Sequence, residues 1–279
     1  MPPARLGARA PVDPGYVEPM ARSIWNGTIA FGLMSVPVKL HTATESKTVH
    51  FHEVHLDDGA RVEHRRFCSK EDREVPYKEV VKGYEVAPDE YVVLEKDEIS
   101  AAAGDGAHRI DVEHFVDAAE IDPVFFEKTY HLGAGKDAGE PYRLLHDALE
   151  DTGRAGIGRF TFHDREYLTA IRARDGVLLL HTLRFADELV PAEDIDVAEP
   201  SRGPGKREID MARKLVDTLH ERFKPERYED EYRKAVLKVI DQKAKGKEIE
   251  PPDEPEPDAP DDLMAALQAS LEGSRKGGR

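Results

Sequence analysis

Between Arg22 and Leu40 the chain reads RSIWNGTIAFGLMSVPVKL, a run whose period-two spacing leaves room for little besides a pair of adjoining β-strands. Ile24, Ile29, Phe31, Val36, Val38 and Leu40 fall where half-buried strand residues belong, with Asn26-Gly27 supplying a turn or bulge and Gly32 a second break. The pattern returns downstream. Phe160 and Phe162 alternate with Arg159, Thr161 and His163, Tyr167 to Arg172 forms another candidate strand, and Val177 to Leu183 a third beyond the turn Arg174-Asp175-Gly176. Joined to the N-terminal pair and to strands around Val92-Val93-Leu94 and Ile110-Asp111-Val112, this meander predicts a closed or nearly closed barrel, which removes exposed edges.

Helical spacing interrupts and then replaces the strands. Pro141 to Glu150 places Leu144, Leu145 and Leu149 on one face, with proline at the start, where its missing N–H costs least. Ser201-Arg-Gly-Pro-Gly marks a linker, after which Ile209, Ala212, Val216, Leu219 and Phe223 recur at steps of three and four along a helix stopped by Pro225. A second helix follows, carrying Tyr228, Tyr232, Ala235, Val236, Val239 and Ile240 on one face. Spacing alone leaves two uses open for these faces, packing onto the barrel or gripping another subunit.

The chain of 279 residues is 39% hydrophobic, enough for a packed core, and its formal net charge is −16. On its face that charge opposes nucleic-acid binding, since a phosphate backbone repels an acidic surface. The acid is unevenly placed, however. Asp253, Glu254, Glu256, Asp258, Asp261 and Asp262 crowd one short stretch, whereas between Thr152 and Arg184 six arginines face only Asp164, Glu166 and Asp175. A basic stripe on an acidic molecule is compatible with these sums, as are scattered surface charges.

One cysteine, Cys68, excludes an internal disulfide and fits a reducing cytoplasm. No eighteen apolar residues run together, so no membrane helix is predicted, and MPPARLGARAPVDPGYVEP lacks the apolar core of a signal peptide. In the tail, Pro251, Pro252, Pro255, Pro257 and Pro260 interleave with acids as an extended linker. DDLMAALQASLE follows, with Leu263, Met264, Leu267 and Leu271 on one helical face; a helix this short orders best against a partner.

Catalytic motifs fail on inspection. GAGKDAG at Gly133–Gly139 lacks the first glycine of a phosphate-binding loop and the hydroxyl residue after Lys136. GRAGIG at Gly153–Gly158 precedes a strand instead of opening a helix after one. His52 and His55 stand three apart, off the spacing of a metalloprotease helix. His50 with His52 on a strand face, or His64 with Cys68 on a helix, form the remaining metal-site candidates.

Four segments in order carry a family resemblance: RSIWNGTIAFGLMSVPVKL, VKGYE at Val81–Glu85 with YVVLEKDEI, AGIGRFTFHDREYLTAI at Ala155–Ile171, and LLHTLRFADEL at Leu179–Leu189. From about Arg22 to Gly246 the chain resembles the bacterial Ku proteins, the DNA-end-binding factors of non-homologous end joining. The resemblance implies a mixed β and α fold, a Ku-type β-barrel core with inserted helices and a C-terminal helical arm, assembled as a ring-forming homodimer. It implies no enzyme activity, no cofactor and no metal, with double-stranded DNA ends, a second copy of the chain and the end-joining DNA ligase as partners, in the cytoplasm at the nucleoid. Residues 1–21 become an N-terminal extension with Met20 as an alternative start, 22–200 the barrel and DNA-encircling bridge, 201–250 the dimerising arm, and 251–279 an acidic linker with a ligase-docking helix. Lys39, Arg65, Arg66, Arg154, Arg159, Arg165, Arg172 and Arg174 are the expected DNA contacts. Val216, Leu219 and Phe223 are the expected dimer contacts, and Leu263, Met264, Leu267 and Leu271 the expected ligase contacts. Two other readings stand beside this one: a protein-interaction barrel without DNA binding, and a metal-dependent hydrolase built on His50, His52, His64 and Cys68.

Overall fold

The computed structural model describes residues 22–102, 108–162, 165–197 and 203–247, together with Gln268 and Ser270. They fall into two compact units, one of residues 22–46 and 63–190, the other of residues 47–62 with those from 191 onward. The first unit holds the barrel. Its strands are β1 (Trp25–Phe31), β2 (Met34–Thr42), β7 (Arg109–Asp117), β8 (Phe126–Ala134), β9 (Arg154–Phe162), β10 (Arg165–Arg174) and β11 (Val177–Leu183). They close in the order β1-β2-β8-β11-β10-β9-β7, and the seam between β1 and β7 is the one parallel pairing, Thr28–Ala30 against Arg109–Asp111.

Alternation decides which side chains fill the barrel. In β2, Val36, Val38 and Leu40 are buried while Ser35, Pro37 and Lys39 are exposed. Ile29, Ile110, Leu132, Phe160, Ile171, Leu178 and Leu180 join them from the other six strands, so every strand contributes to one core. The helix α2 (Gly139–Thr152) adds Leu145 and Leu149 to it and ends at Gly153, whose φ of 64° suits a residue without a Cβ. Tyr142 ties α2 to the sheet: its hydroxyl donates to the Leu132 carbonyl at 2.6 Å and accepts from the Leu178 amide at 2.8 Å. Outside the barrel wall, Ile121, Phe125 and Phe126 cover Ala155, Ala170 and Leu183, and Arg184 holds this cover by donating to the Val124 and Phe126 carbonyls.

The strand pair at the N-terminus forms as expected, but Gly27 is not its turn. It sits inside β1, where a Cβ would overlap the Trp25 ring and the His108 carbonyl; the chain reverses at Gly32, with φ of 54°. Val92-Val93-Leu94 is also reassigned. It belongs to β6 (Glu90–Leu94), which pairs with β5 (Lys82–Ala87) in a separate hairpin outside the barrel; β3 (Phe67–Cys68) and β4 (Arg73–Glu74) form a smaller one. The short helix α1 (Lys96–Ala102) follows β6.

In the second unit, α3 (Lys206–Leu219) and α4 (Glu231–Ala244) are helical. Two boundaries move. His220 leaves the helical region at φ −66°, ψ 120°, so Phe223 lies beyond α3; Tyr228 lies before α4 and stacks on Phe223 at 5.9 Å between ring centres. Gln268 and Ser270 are helical; Leu263, Met264, Leu267 and Leu271 lie outside the described residues, as does the N-terminal extension.

Candidate nucleic-acid interface

Register converts the strand sequence into a surface. Arg172 pairs with Leu179, Leu179 with His131, and His131 with His41, so one row crosses β10, β11, β8 and β2 on the outer face. Two residues along, Lys39 pairs with Gly133 in β8 and Arg174 with Val177 in β11. Three strand spacings, about 14 Å, separate the strands that carry Lys39 and Arg174. Cationic side chains therefore stand at both edges of a face floored by histidines and leucine, and none of these positions holds an acid.

The eight basic residues singled out from sequence divide by what they already bind. Arg159 donates to Glu113 at 2.9 Å and to Glu166 at 2.8 Å, and both carboxylates raise its pKa, Glu166 first. Arg165 donates to Glu188 at 2.9 Å and lies over the Tyr167 ring. Arg154 faces Asp117 at 3.6 Å, and Arg65 bonds Glu74 at 3.2 Å with Glu63 also near. Arg66 lies 5.0 Å from the ring centre of Tyr77. Among the described residues Arg174 pairs only with the exposed Asp175 beside it, at 3.3 Å. Arg66, Lys39 and Arg172 have no acidic partner among the described residues.

Arg172 is the unusual one. It is half-buried, and burial followed by the nearby Arg174 lowers its pKa. Its Nε–H goes to His181 at 2.9 Å, and its guanidinium carbon is 5.8 Å from the centre of the Phe126 ring. Burying a cation without an anion is unfavourable, which makes Arg172 a candidate for contact with an external anion. His181 itself is 4% exposed, and burial, then Arg172 and Arg174, push its pKa down to about 4. Sequence reading passed over His181; its place as the one ionisable residue in the apolar run Val177–Leu183, just past the turn from Arg172 and Arg174, was the available signal.

Apolar residues point outward elsewhere. Val216, Leu219 and Phe223 are 69%, 60% and 79% exposed within the chain, so none of them is core. In the β5–β6 hairpin Tyr84, Val86, Tyr91, Val92, Val93 and Leu94 are all exposed, an arrangement a two-stranded hairpin rarely sustains alone in water.

The local geometry assumed for a metal-hydrolase site is not the one observed. His50 and His52 lie exposed in a segment without strand pairing, His64 is exposed, and Cys68 is in the strand β3, not on a helix. Among the described residues, the one group of three or more His, Cys, Asp or Glu ligand atoms close enough to hold a metal ion is His146, Asp147 and Glu150, along α2. No helix among the described residues is long and apolar enough to cross a membrane.

Comparison with known proteins agrees with the barrel. The Ku70/Ku80 beta-barrel domain family matches residues 30–211. A non-homologous end joining protein Ku from Anaeromyxobacter sp. (strain K) is 43% identical over 261 residues, 93% of this chain and 88% of the relative. Its namesakes from Solibacter usitatus and Opitutus terrae are 38% and 35% identical, covering 91% and 92% of this chain and 95% and 94% of their own lengths. All three bear the name of an end-joining protein and none that of an enzyme. A seven-strand closed barrel, the match of its sequence to the Ku barrel domain and near full-length identity to these relatives together place the chain in the Ku family.

Proposed function

We propose that this chain binds the ends of double-stranded DNA without reading sequence, as a homodimer that encircles the duplex and holds ends for joining. The observation that carries the reading is the outer face bearing Lys39, Arg172 and Arg174, where the cations lack strong internal partners on a molecule of net charge −16. Contacts from such residues to phosphate position a protein without specifying bases. Acid elsewhere discourages DNA from settling anywhere else. The self-neutralised Arg65, Arg154, Arg159 and Arg165 contribute less, because a phosphate must first displace a carboxylate from each.

Two apolar surfaces support the dimer. The exposed β5–β6 hairpin and the stripe of Val216 and Leu219 need a cover, and a second copy is the occupant the family reading supplies. The tail extends the proposal. Leu263, Met264, Leu267 and Leu271 form the docking face for the end-joining ligase, joined by the proline-rich acidic linker. Leu267→Asp then impairs ligase-dependent joining while end binding persists.

The test compares linear and covalently closed duplex of one sequence and length. Threading requires an end, so linear DNA binds and the closed form does not; equal affinity for both overturns encirclement. Binding to the linear form falls linearly on a log–log scale with salt, by about 0.9 for each phosphate neutralised.

A further inference from the structure

The geometry points to His181 as a positioning residue for DNA phosphate, one that holds the guanidinium of Arg172 ready on the outer face of the barrel. The inference rests on the assignment of that face to DNA and adds a buried group which does not itself touch the ligand.

Arginine only donates hydrogen bonds, so the 2.9 Å contact from Arg172 Nε requires His181 Nε2 to be the unprotonated, accepting nitrogen. The proton then sits on Nδ1, which donates to Thr129 Oγ1 at 2.9 Å. One tautomer is thus fixed from both sides, by a strand on each side of β11. Phe126 completes the mount: its ring meets His181 edge-on at 5.0 Å and lies beneath the Arg172 guanidinium. The depressed pKa of His181 fits this role, because a protonated ring would repel the arginine it holds.

The arrangement uses only Nε of Arg172. Its two terminal nitrogens have no hydrogen-bond partner among the described residues, and they are the pair that grips a phosphate or carboxylate bidentately. A free arginine side chain loses considerable rotamer freedom on binding. With Nε bonded and the flat face against Phe126, much of that loss has occurred on folding, and a phosphate meets a preformed fork.

Two substitutions separate positioning from mere packing. Asparagine at 181 places its amide near Nδ1, keeping the Thr129 bond but falling short of Arg172; glutamine reaches the Nε2 position and offers an oxygen to Arg172. Full-length protein is titrated with linear duplex across a salt series, alongside thermal unfolding. Arg172→Gln is expected to weaken binding and to flatten the salt slope by about 0.9 for each arginine that met a phosphate. His181→Asn is expected to weaken binding about threefold to tenfold, the worth of one ordered side chain, with His181→Gln near the parent. In an Arg172→Gln background His181→Asn should have no further effect.

If His181→Asn binds as well as the parent, or weakens binding equally with and without Arg172, the positioning role is overturned while the assignment of the face survives. If Arg172→Gln changes neither affinity nor slope, the face itself is misassigned and the inference falls with it. Should the asparagine variant unfold, the comparison of His181→Gln with Arg172→Gln still decides: a glutamine variant as weak as Arg172→Gln refutes the hydrogen-bond account.

Discussion

Arg159 donates its Nε–H to Glu113 at 2.9 Å across the β7–β9 pair, a contact between residues 46 positions apart. Glu166 takes a second bond from the same guanidinium. Side chains of all three are about half exposed, so the pairing adds little to stability, yet the arginine's charge is more than offset by the two carboxylates it holds. Arg159→Gln should therefore change the salt slope of DNA binding much less than Lys39→Gln or Arg174→Gln, each of which removes about 0.9 per phosphate contact. A slope change for Arg159→Gln equal to theirs would show that DNA displaces Glu113 and Glu166.

Much of the barrel was legible because period-two alternation is a local signal. Val36, Val38 and Leu40 announce β2, and the runs 160–162, 167–172 and 177–183 announce the meander β9-β10-β11. Partner choice is not local. Val92, Val93 and Leu94 look like any strand, and only their pairing with Lys82–Tyr84 takes them out of the barrel. Likewise Phe223 continues the four-residue step from Leu219, but the chain leaves the helix at His220, ahead of Pro225. The site was the least legible part. Eight basic residues are equivalent in a list, and what distinguishes Arg172 from Arg159 is a pair of carboxylates brought in by other strands.

Gly27 carries a stability prediction. A Cβ there overlaps the Trp25 ring and the His108 carbonyl, and Trp25 packs edge-on against Phe160 at 5.0 Å in the core. The indole has little room to yield. Gly27→Ala should cost about 1–3 kcal/mol, measured as a lowered midpoint in denaturant at constant m-value. Gly139→Ala, where nothing lies within 4 Å, serves as the control and should be nearly neutral. Equal midpoints for the two variants would mean that β1 shifts freely against the seam.

His181 predicts the acid limb of the stability curve. Its pKa is pushed from 6.5 to about 4 in the fold, so below pH 6.5 the unfolded chain takes up a proton that the native protein refuses. The native state is then progressively disfavoured as pH falls from about 6.5 towards 4, by on the order of 3 kcal/mol, and this penalty is absent above that window and complete below it. His181→Gln has no such proton. Denaturant unfolding at pH 7 and pH 4.5 should show the parent losing more stability than this variant; parallel losses would place the acid sensitivity in other groups.

The stripe on α3 decides between self-packing and assembly. Val216 and Leu219 are more than half exposed in the chain, and neither belongs to a core cluster. Replacing both by Asp thus costs the isolated chain little. Against a second copy the same charges would be buried without partners, at about 3–5 kcal/mol each, enough to dissociate most dimers at micromolar concentration. The double variant should sediment as a monomer while the barrel keeps its thermal transition. Linear-duplex binding should fall with it, although Lys39, Arg172 and Arg174 are untouched, because the proposed ring needs two chains. A dimer that survives the double substitution would take α3 out of the interface and leave the exposed β5–β6 hairpin as the surface that joins the two copies. A monomer that still binds linear DNA with parent affinity would instead show that one barrel face suffices and that no ring is needed.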